Sequence, residues 1–316
     1  MEHPQLSGLA ATLLKDVQSD SQSGATEITQ KAARCLIAFS EQGQPNAATC
    51  REELVWLGQA VIDAHPMMSS LFNLVNRVFL ESESARRSDS VEAILRAVRD
   101  SAQSFLESTQ TALATIARNG QKLLAPHSTV MTHSSSSTVA GILREASLQG
   151  KSIRAIATES RPFCEGRELA RNLGQQGIPT QVVLDAAAAL YVRKADLVIV
   201  GVDRIAEDSF LNKAGTLALA MAARQEKVPF YVACETNKFL PAAVVSMGDA
   251  LQGSEQRAQE EWMNVELVYS LFEEIPNKWL TGVITEKGIL SMGALSRHFR
   301  AFKVSPQIAK RATVSV

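Results

Sequence analysis

Apolar positions in the first third of the chain recur at intervals of three and four. That spacing predicts amphipathic helices over 25–39, 50–62, 67–79 and 91–116. Polar stretches such as 43–49 (GQPNAAT) and 81–90 (ESESARRSDS) separate them. Ser88, Asp89 and Ser90 offer helix starts before VEAILRAV, with Glu92 in the first turn. Residues 1–122 are therefore expected to form a helical domain without chemistry of its own.

The pattern changes at Ser128, where short β-branched runs begin to alternate with helical ones. Strands are expected over 128–133, 152–158, 180–185, 196–201, 229–235 and 281–288. Helices are expected over 138–150, 165–177, 186–194 and 212–227, the first two ending at Gly150 and Gly177. A polar stretch at 252–263 tolerates helix. Such alternation specifies βαβ units. The expected fold class is α/β: an N-terminal helical domain, then a Rossmann-like parallel sheet domain over 123–316 with helices on both faces.

Ligands of open parallel sheets sit outside the carboxyl ends of the strands. Here every core strand delivers polar residues to that edge. The first ends in Thr132-His133 and the serine run Ser134, Ser135, Ser136 and Ser137. The second ends in Thr158-Glu159-Ser160-Arg161, the third in Asp185, the fourth in Gly201-Val202-Asp203, and the fifth in Glu235-Thr236-Asn237-Lys238. Five such ends in succession point to a polar-ligand site.

The serine run lies where a strand turns into a helix, so its N–H groups and hydroxyls suit a phosphate. Ser136 or Ser137 can equally cap the helix. Arg161, before Pro162, can grip phosphate through its fork of donors or form a surface ion pair. Asp203 is the candidate acid or base; an Asx-type turn is the alternative. Asn212 and Lys213 can bind sugar hydroxyls or neutralise charge, and Lys213 can instead pair with Asp203. Glu159 and Glu235 can act as structural acids. One of His133 and Thr132 packs in the sheet while the other meets ligand. His65, ahead of Pro66 and the 67–79 helix, can meet an anion or serve as a cap contact.

Composition narrows the classes. With 316 residues, 46% hydrophobic, 21% charged and a net charge of −1, the chain has no basic footprint for nucleic acid. No apolar run reaches 18 residues, so no membrane partner is expected. The first twenty residues carry acids and no apolar core, so no signal peptide is expected. Cys35, Cys50, Cys164 and Cys234 are widely spaced, which argues against zinc and a disulfide framework and for a cytoplasmic setting. Cys164 and Cys234 read as small buried hydrophobes. No cofactor is expected.

At THSSSSTV, ATESRPFCEGRELA, IPTQVVLDAA, KADLVIVGVDRI, LNKAGT, VPFYVACETNKF and FEEIPNKWLTGVITEKG, the chain resembles the alpha/beta/delta regulatory subunits of translation initiation factor 2B. It also resembles their metabolic relatives, ribose-1,5-bisphosphate isomerase and methylthioribose-1-phosphate isomerase, and Asp203 tilts the resemblance toward that branch. The matching pieces span about 128–290. The resemblance implies a helical domain followed by a Rossmann-like one, a homodimer, and a phosphorylated sugar or a nucleotide as ligand. In the isomerases an aspartate and a cysteine are the proposed pair. The resemblance places that aspartate at Asp203, the Asn-Lys substrate contacts at Asn212 and Lys213, and the arginine after Thr-Glu-Ser at Arg161.

Three positions depart from the isomerase pattern. The cysteine is replaced by Ser134, a far poorer acid than a thiol with its reference pKa near 8.5. The Arg-Gly-Ala phosphate motif has Ser23-Gly24-Ala25 as its nearest stretch, without the arginine. The Arg-Pro pair appears as His65-Pro66. Losing two cationic contacts favours a monophosphorylated sugar or a nucleotide over a bisphosphate. An isomerase with Asp203 as acid/base and Ser134 holding a hydroxyl is one expectation. A non-catalytic sugar-phosphate or nucleotide sensor is another, and an initiation-factor-like regulatory subunit a third.

Overall fold

The computed structural model describes residues 6, 8–20, 25–66, 68–84, 90–244, 255–259 and 264–308. The chain divides into two compact units, Met1–Gln110 with Phe302–Val316, and Thr111–Ala301.

The first unit is helical, as the three-and-four spacing predicts. Its helices are α1 (Gly8–Ser19), α2 (Ala25–Ser40), α3 (Ala47–Ala64), α4 (Ser69–Ser84) and the first part of α5 (Val91–Gly120). The α1 helix was not singled out by the sequence pattern. Leu36, Phe39, Leu54, Leu57, Leu71, Leu74 and Ile94 fill the unit's interior. Asn46 caps α3 by accepting from the Thr49 N–H at 2.9 Å. Of the three helix-start candidates before α5, Ser90 accepts from the Ala93 N–H; Ser88 and Asp89 lie outside the described residues.

The second unit alternates strands and helices. In chain order these are β1 (Thr129–Thr132), α6 (Ser137–Leu148), β2 (Arg154–Thr158), α7 (Glu165–Gln175), β3 (Thr180–Val183), α8 (Ala188–Val192), β4 (Leu197–Val200), β5 (Arg204–Ile205), β6 (Ser209–Lys213), α9 (Thr216–Gln225), β7 (Phe230–Ala233), β8 (Glu255–Gln259), β9 (Glu266–Ser270), β10 (Phe272–Pro276), β11 (Gly282–Thr285), β12 (Gly288–Leu290) and α10 (Met292–Arg300).

A seven-stranded sheet runs in the order β12-β11-β7-β4-β1-β2-β3. All its pairings are parallel except the edge pair β11–β12. From β1, inside the sheet, the chain moves outward to β2 and β3, then returns to β4 on the other side of β1. The order therefore reverses between β1 and β4. In open parallel sheets ligands bind at such a switch point, beyond the carboxyl ends of the strands.

Strand alternation splits the apolar residues between two layers. Met131, Ile156, Val198, Val200, Val232 and Val283 pack with Leu219 and Ala223 of α9 and Leu295 and Phe299 of α10. Val130, Ala155, Leu197, Ile199, Ala233 and Ile284 pack with Ile116 of α5, Ile142 of α6 and Leu173 of α7. Burial on both sides explains why these strands read as short continuous apolar runs.

Two local expectations are corrected. The 212–227 stretch does not open as a helix at Asn212: Asn212 and Lys213 close strand β6, and α9 starts at Thr216 after Gly215, whose φ is +105°. β6 is the middle strand of a small antiparallel sheet, β10-β6-β5. It pairs Asn212 with Glu273 and Lys213 with Phe272. Within 252–263, residues 255–259 form β8, paired antiparallel with β9, where the sequence tolerated helix; 252–254 and 260–263 lie outside the described residues. Among the described residues no helix is long and apolar enough to cross a membrane.

Candidate functional site

The candidate residues cluster in sequence where the strands of the parallel sheet end, β1 and β4 first. The ring of His133 is buried just past β1. Its Nδ1 meets the Thr158 hydroxyl at 2.6 Å and its Nε2 the Ala214 carbonyl at 2.8 Å. Both ring nitrogens are thus used inside the fold, tying β1 to β2 and to the turn before α9. Burial holds His133 below the ordinary imidazole value, although the Ala214 contact and the Asp185 charge pull the other way. The sequence left open which of Thr132 and His133 would pack in the sheet. Both are buried, and His133 is a framework residue.

That shift sets a pH dependence. An unfolded histidine titrates near 6.5. Between that value and the lower folded one, the unfolded chain takes up a proton that the folded chain refuses. Stability is then fully present above about 6.5 and falls as pH drops through this window. The slope is at most about 1.4 kcal/mol per pH unit for one group. His298, lowered by burial and by Lys287, has the same sign. Urea midpoints should fall between neutrality and pH 5.5, and His133→Gln should flatten part of that fall.

The serine run follows. Ser134 has φ +65°, its N–H donates to Ser160 Oγ at 2.8 Å, and its hydroxyl donates to Glu165 Oε1 at 3.2 Å. Ser136 caps α6, accepting from the Val139 N–H at 3.3 Å. Ser135 and Ser137 are exposed at the helix start. A Cβ on Gly201, at the end of β4, would lie 2.7 Å from Ser136 Oγ. The absent side chain there lets the two strand ends approach.

Beyond β2, Asp185 accepts the N–H groups of Ser160 and Arg161, each at 2.8 Å, and so fixes this turn. Glu159 is buried and holds two guanidinium groups, Arg161 at 3.2 Å and Arg167 at 2.5 Å. Arg167 first and Arg161 second keep the Glu159 carboxyl below its usual range. Both arginine side chains remain largely exposed, 67% and 55%. Cys164 is half-exposed at the start of α7 with φ +57°, so the expectation of a buried thiol fails there. Its left-handed backbone and position at a helix start keep it out of the core. Cys234 is buried, and burial pushes its thiol far up.

Asp203 stands beyond β4, its N–H donating to the Leu211 carbonyl at 2.9 Å. Its carboxyl is enclosed by protein on most sides while keeping some surface exposure. Burial pushes it above the ordinary aspartate value; the charges of Lys238 and Lys213 oppose that rise. Lys238 donates to the Val202 carbonyl at 2.8 Å. Glu235 is buried, accepts from Asn237 Nδ2 at 2.6 Å, and is likewise raised by burial.

Asn212 and Lys213 are both buried. Asn212 donates to the Thr216 hydroxyl at 3.0 Å. The Lys213 ammonium pairs with Glu165 at 2.7 Å and lies over the Phe163 ring, 5.2 Å from its centroid. Lys213 thus pairs with Glu165, a partner the sequence did not single out, while its charge also acts on Asp203. Glu165 and Arg167 are the residues that sequence reasoning missed; their signal was an acid and a base in the first turn of a helix after the Arg-Pro turn.

The second unit carries Asp203, Ser134–Ser137, Arg161, Asn212, Lys213 and His133 at or just past the ends of its strands; of these, Ser134 and Lys213 are joined through Glu165, while Arg161 is held by Glu159. His65 belongs to the helical unit. It ends α3, and its Nε2 meets the Val17 carbonyl at 2.7 Å. The expected helix start at Pro66 is not observed, since α4 begins at Ser69; Met67, Ser23 and Gly24 lie outside the described residues. Among the described residues no group of three His, Cys, Asp or Glu side chains is arranged for a metal ion.

The family model described as the initiation factor 2 subunit family matches residues 21–292. A Pyrococcus horikoshii protein named translation initiation factor eIF-2B subunit 2-like is 33% identical over 279 residues, 88% of this chain and 95% of its own. The ribose 1,5-bisphosphate isomerase of Archaeoglobus fulgidus is 32% identical over 272 residues, 84% of this chain and 85% of its own. The crystal structure of the Pyrococcus horikoshii translation initiation factor eIF-2B is similar with a TM-score of 0.74 at 32% identity, over 90% of this chain and 98% of that one. The 5-methylthioribose 1-phosphate isomerase of the same organism shares the fold, with a TM-score of 0.67 at 20% identity over 92% of this chain and 86% of that one. With most of its length matched by these relatives and by the family model, the chain belongs to the initiation factor 2 subunit family.

Proposed function

We propose that the chain binds a phosphorylated sugar at the carboxyl edge of its parallel sheet and interconverts the aldose and ketose forms. The observation that carries this reading is Asp203, a carboxyl raised by burial beside two lysines at the sheet's switch point. A carboxyl raised toward the working pH can both accept and return a proton. In an open-chain aldose, Asp203 would take the proton from C2 and deliver it to C1. The C2 hydroxyl would lose its proton as O1 gains one, so no external oxidant or reductant is needed. The phosphate would lie against the open N–H groups and hydroxyls of Ser135 and Ser137 and against Arg161. Asn212, Lys213 and the Ser134 hydroxyl would hold the sugar. Relatives named as ribose 1,5-bisphosphate isomerases support the reaction class.

A panel of pentose and hexose phosphates assayed for aldose–ketose conversion tests this. Arg161→Ala should weaken ligand binding about ten- to hundredfold, the range for a hydrogen bond to a charged group. No turnover on any member, with the parent chain equal to Asp203→Asn, would end the enzymatic reading.

Ser134 favours a second reading. A hydroxyl cannot move protons as a thiol does near neutrality, so the site could sense a sugar phosphate without turning it over. Ligand-induced thermal stabilisation that is lost in Arg161→Ala, with no product formed, would support the sensor. Absence of stabilisation by any phosphorylated metabolite would remove both readings.

A further inference from the structure

The Lys213 end of the site already holds an anion, and that anion is part of the chain. Glu165 Oε1 sits 2.7 Å from the Lys213 ammonium and accepts the Ser134 hydroxyl at 3.2 Å. The two residues offered for sugar binding thus converge on one carboxylate oxygen. The other oxygen, Oε2, is buried with no hydrogen-bond partner among the described residues. Phe163 covers the lysine from a further side.

A phosphate group brought to Lys213 would meet this carboxylate at close range. Like charges in a partly desolvated setting repel strongly. A phosphate near neutrality also offers mainly acceptor oxygens, which cannot donate to a carboxylate. A sugar hydroxyl carries no charge, and it can donate to a carboxylate as well as accept from an ammonium. The opposite holds across the β1 and β2 ends, where Arg161 and Arg167 project into solvent from the single buried acid Glu159. Exposed cations thus stand past β2, while the cation that closes β6 is already paired with a carboxylate.

We propose that Glu165 is a charge-specificity residue that reserves the Lys213 end for a neutral, hydroxyl-bearing group, so that the ligand is a sugar carrying phosphate at one end only. This rests on the sugar-phosphate reading of the site. It is independent of the missing N-terminal arginine, since it follows from contacts within the sheet unit.

Calorimetric titration of the full chain with ribose 5-phosphate and with ribose 1,5-bisphosphate tests it, in the parent and in Glu165→Gln. The parent should bind the monophosphate at least about tenfold more tightly, as expected for a like-charge clash on the second phosphate. Glu165→Gln keeps the shape and the Ser134 contact but frees Lys213, so the gap should close or invert by a similar factor. A parent that binds the bisphosphate as tightly or more tightly overturns the proposal without any variant. An unchanged ratio in Glu165→Gln, with its circular dichroism and melting matching the parent, also overturns it while leaving the sugar-phosphate reading intact. Failure of both sugars to bind either protein overturns that reading together with this one.

Discussion

Replacing Asp203 with asparagine is expected to slow aldose–ketose conversion by about 10²–10⁴-fold, the usual contribution of a positioned acid–base group, without weakening the fold. The second half follows from the direction of its pKa. Burial raises the Asp203 carboxyl in the folded chain, whereas an unfolded aspartate titrates near 3.9. Between those values the folded chain keeps a proton that the unfolded chain has released. Folding is therefore disfavoured progressively as pH rises through that window, and the penalty persists above it. Asparagine resembles the protonated acid in shape and has no proton to lose. At neutral pH the urea midpoint of Asp203→Asn should match or exceed that of the parent, with the advantage shrinking as pH falls toward 4. Turnover measured on the same preparations separates chemistry from folding. If activity and stability fall together, Asp203 is a structural turn residue, the alternative that an acid after a strand always carries.

The parallel strands were legible because their burial is local information. Val198, Ile199 and Val200 are each fully buried, and a short unbroken apolar run between polar turns fits a strand covered on both faces. The residues just past such strands followed directly, which is how Asp203, Ser134 and Arg161 could be assigned to one edge. The antiparallel sheet was not legible for the opposite reason. Asn212 and Lys213 are polar yet buried, and their burial is compensated by Thr216 and Glu165. β6 pairs with β10, some sixty positions later in the chain. Read locally, Asn-Lys before Ala-Gly-Thr looks like a helix opening. Glu165 escaped for a related reason: in sequence it is merely an acid in the first turn of a helix, which the helix dipole alone would favour. Only the packing of α7 against β2 puts it on Ser134 and Lys213.

That packing depends on one glycine. Gly166 is the second residue of α7, and its N–H donates to the Glu159 carbonyl at 3.2 Å. A Cβ built on it would lie 1.8 Å from the backbone carbonyl oxygen of Thr158. A flexible side chain could swing aside, but a strand carbonyl held in the sheet cannot. Gly166→Ala must push α7 off the end of β2. Overpacking of a tight site costs about 1–3 kcal/mol and sometimes more, and a backbone obstacle puts this substitution at the upper end. Glu165 precedes Gly166 directly, so the shift should also loosen its contacts to Lys213 and Ser134 and weaken ligand binding. Gly174, in the same helix, is the matched control. A Cβ there meets nothing within 4 Å, and alanine is the better helix former by up to about 1 kcal/mol. Gly174→Ala should raise the urea midpoint while Gly166→Ala lowers it, two identical chemical changes with opposite signs. Equal midpoints for the two variants would mean that α7 does not press on β2 as closely as the geometry requires. Glu165 would then lose the support that holds it over the site.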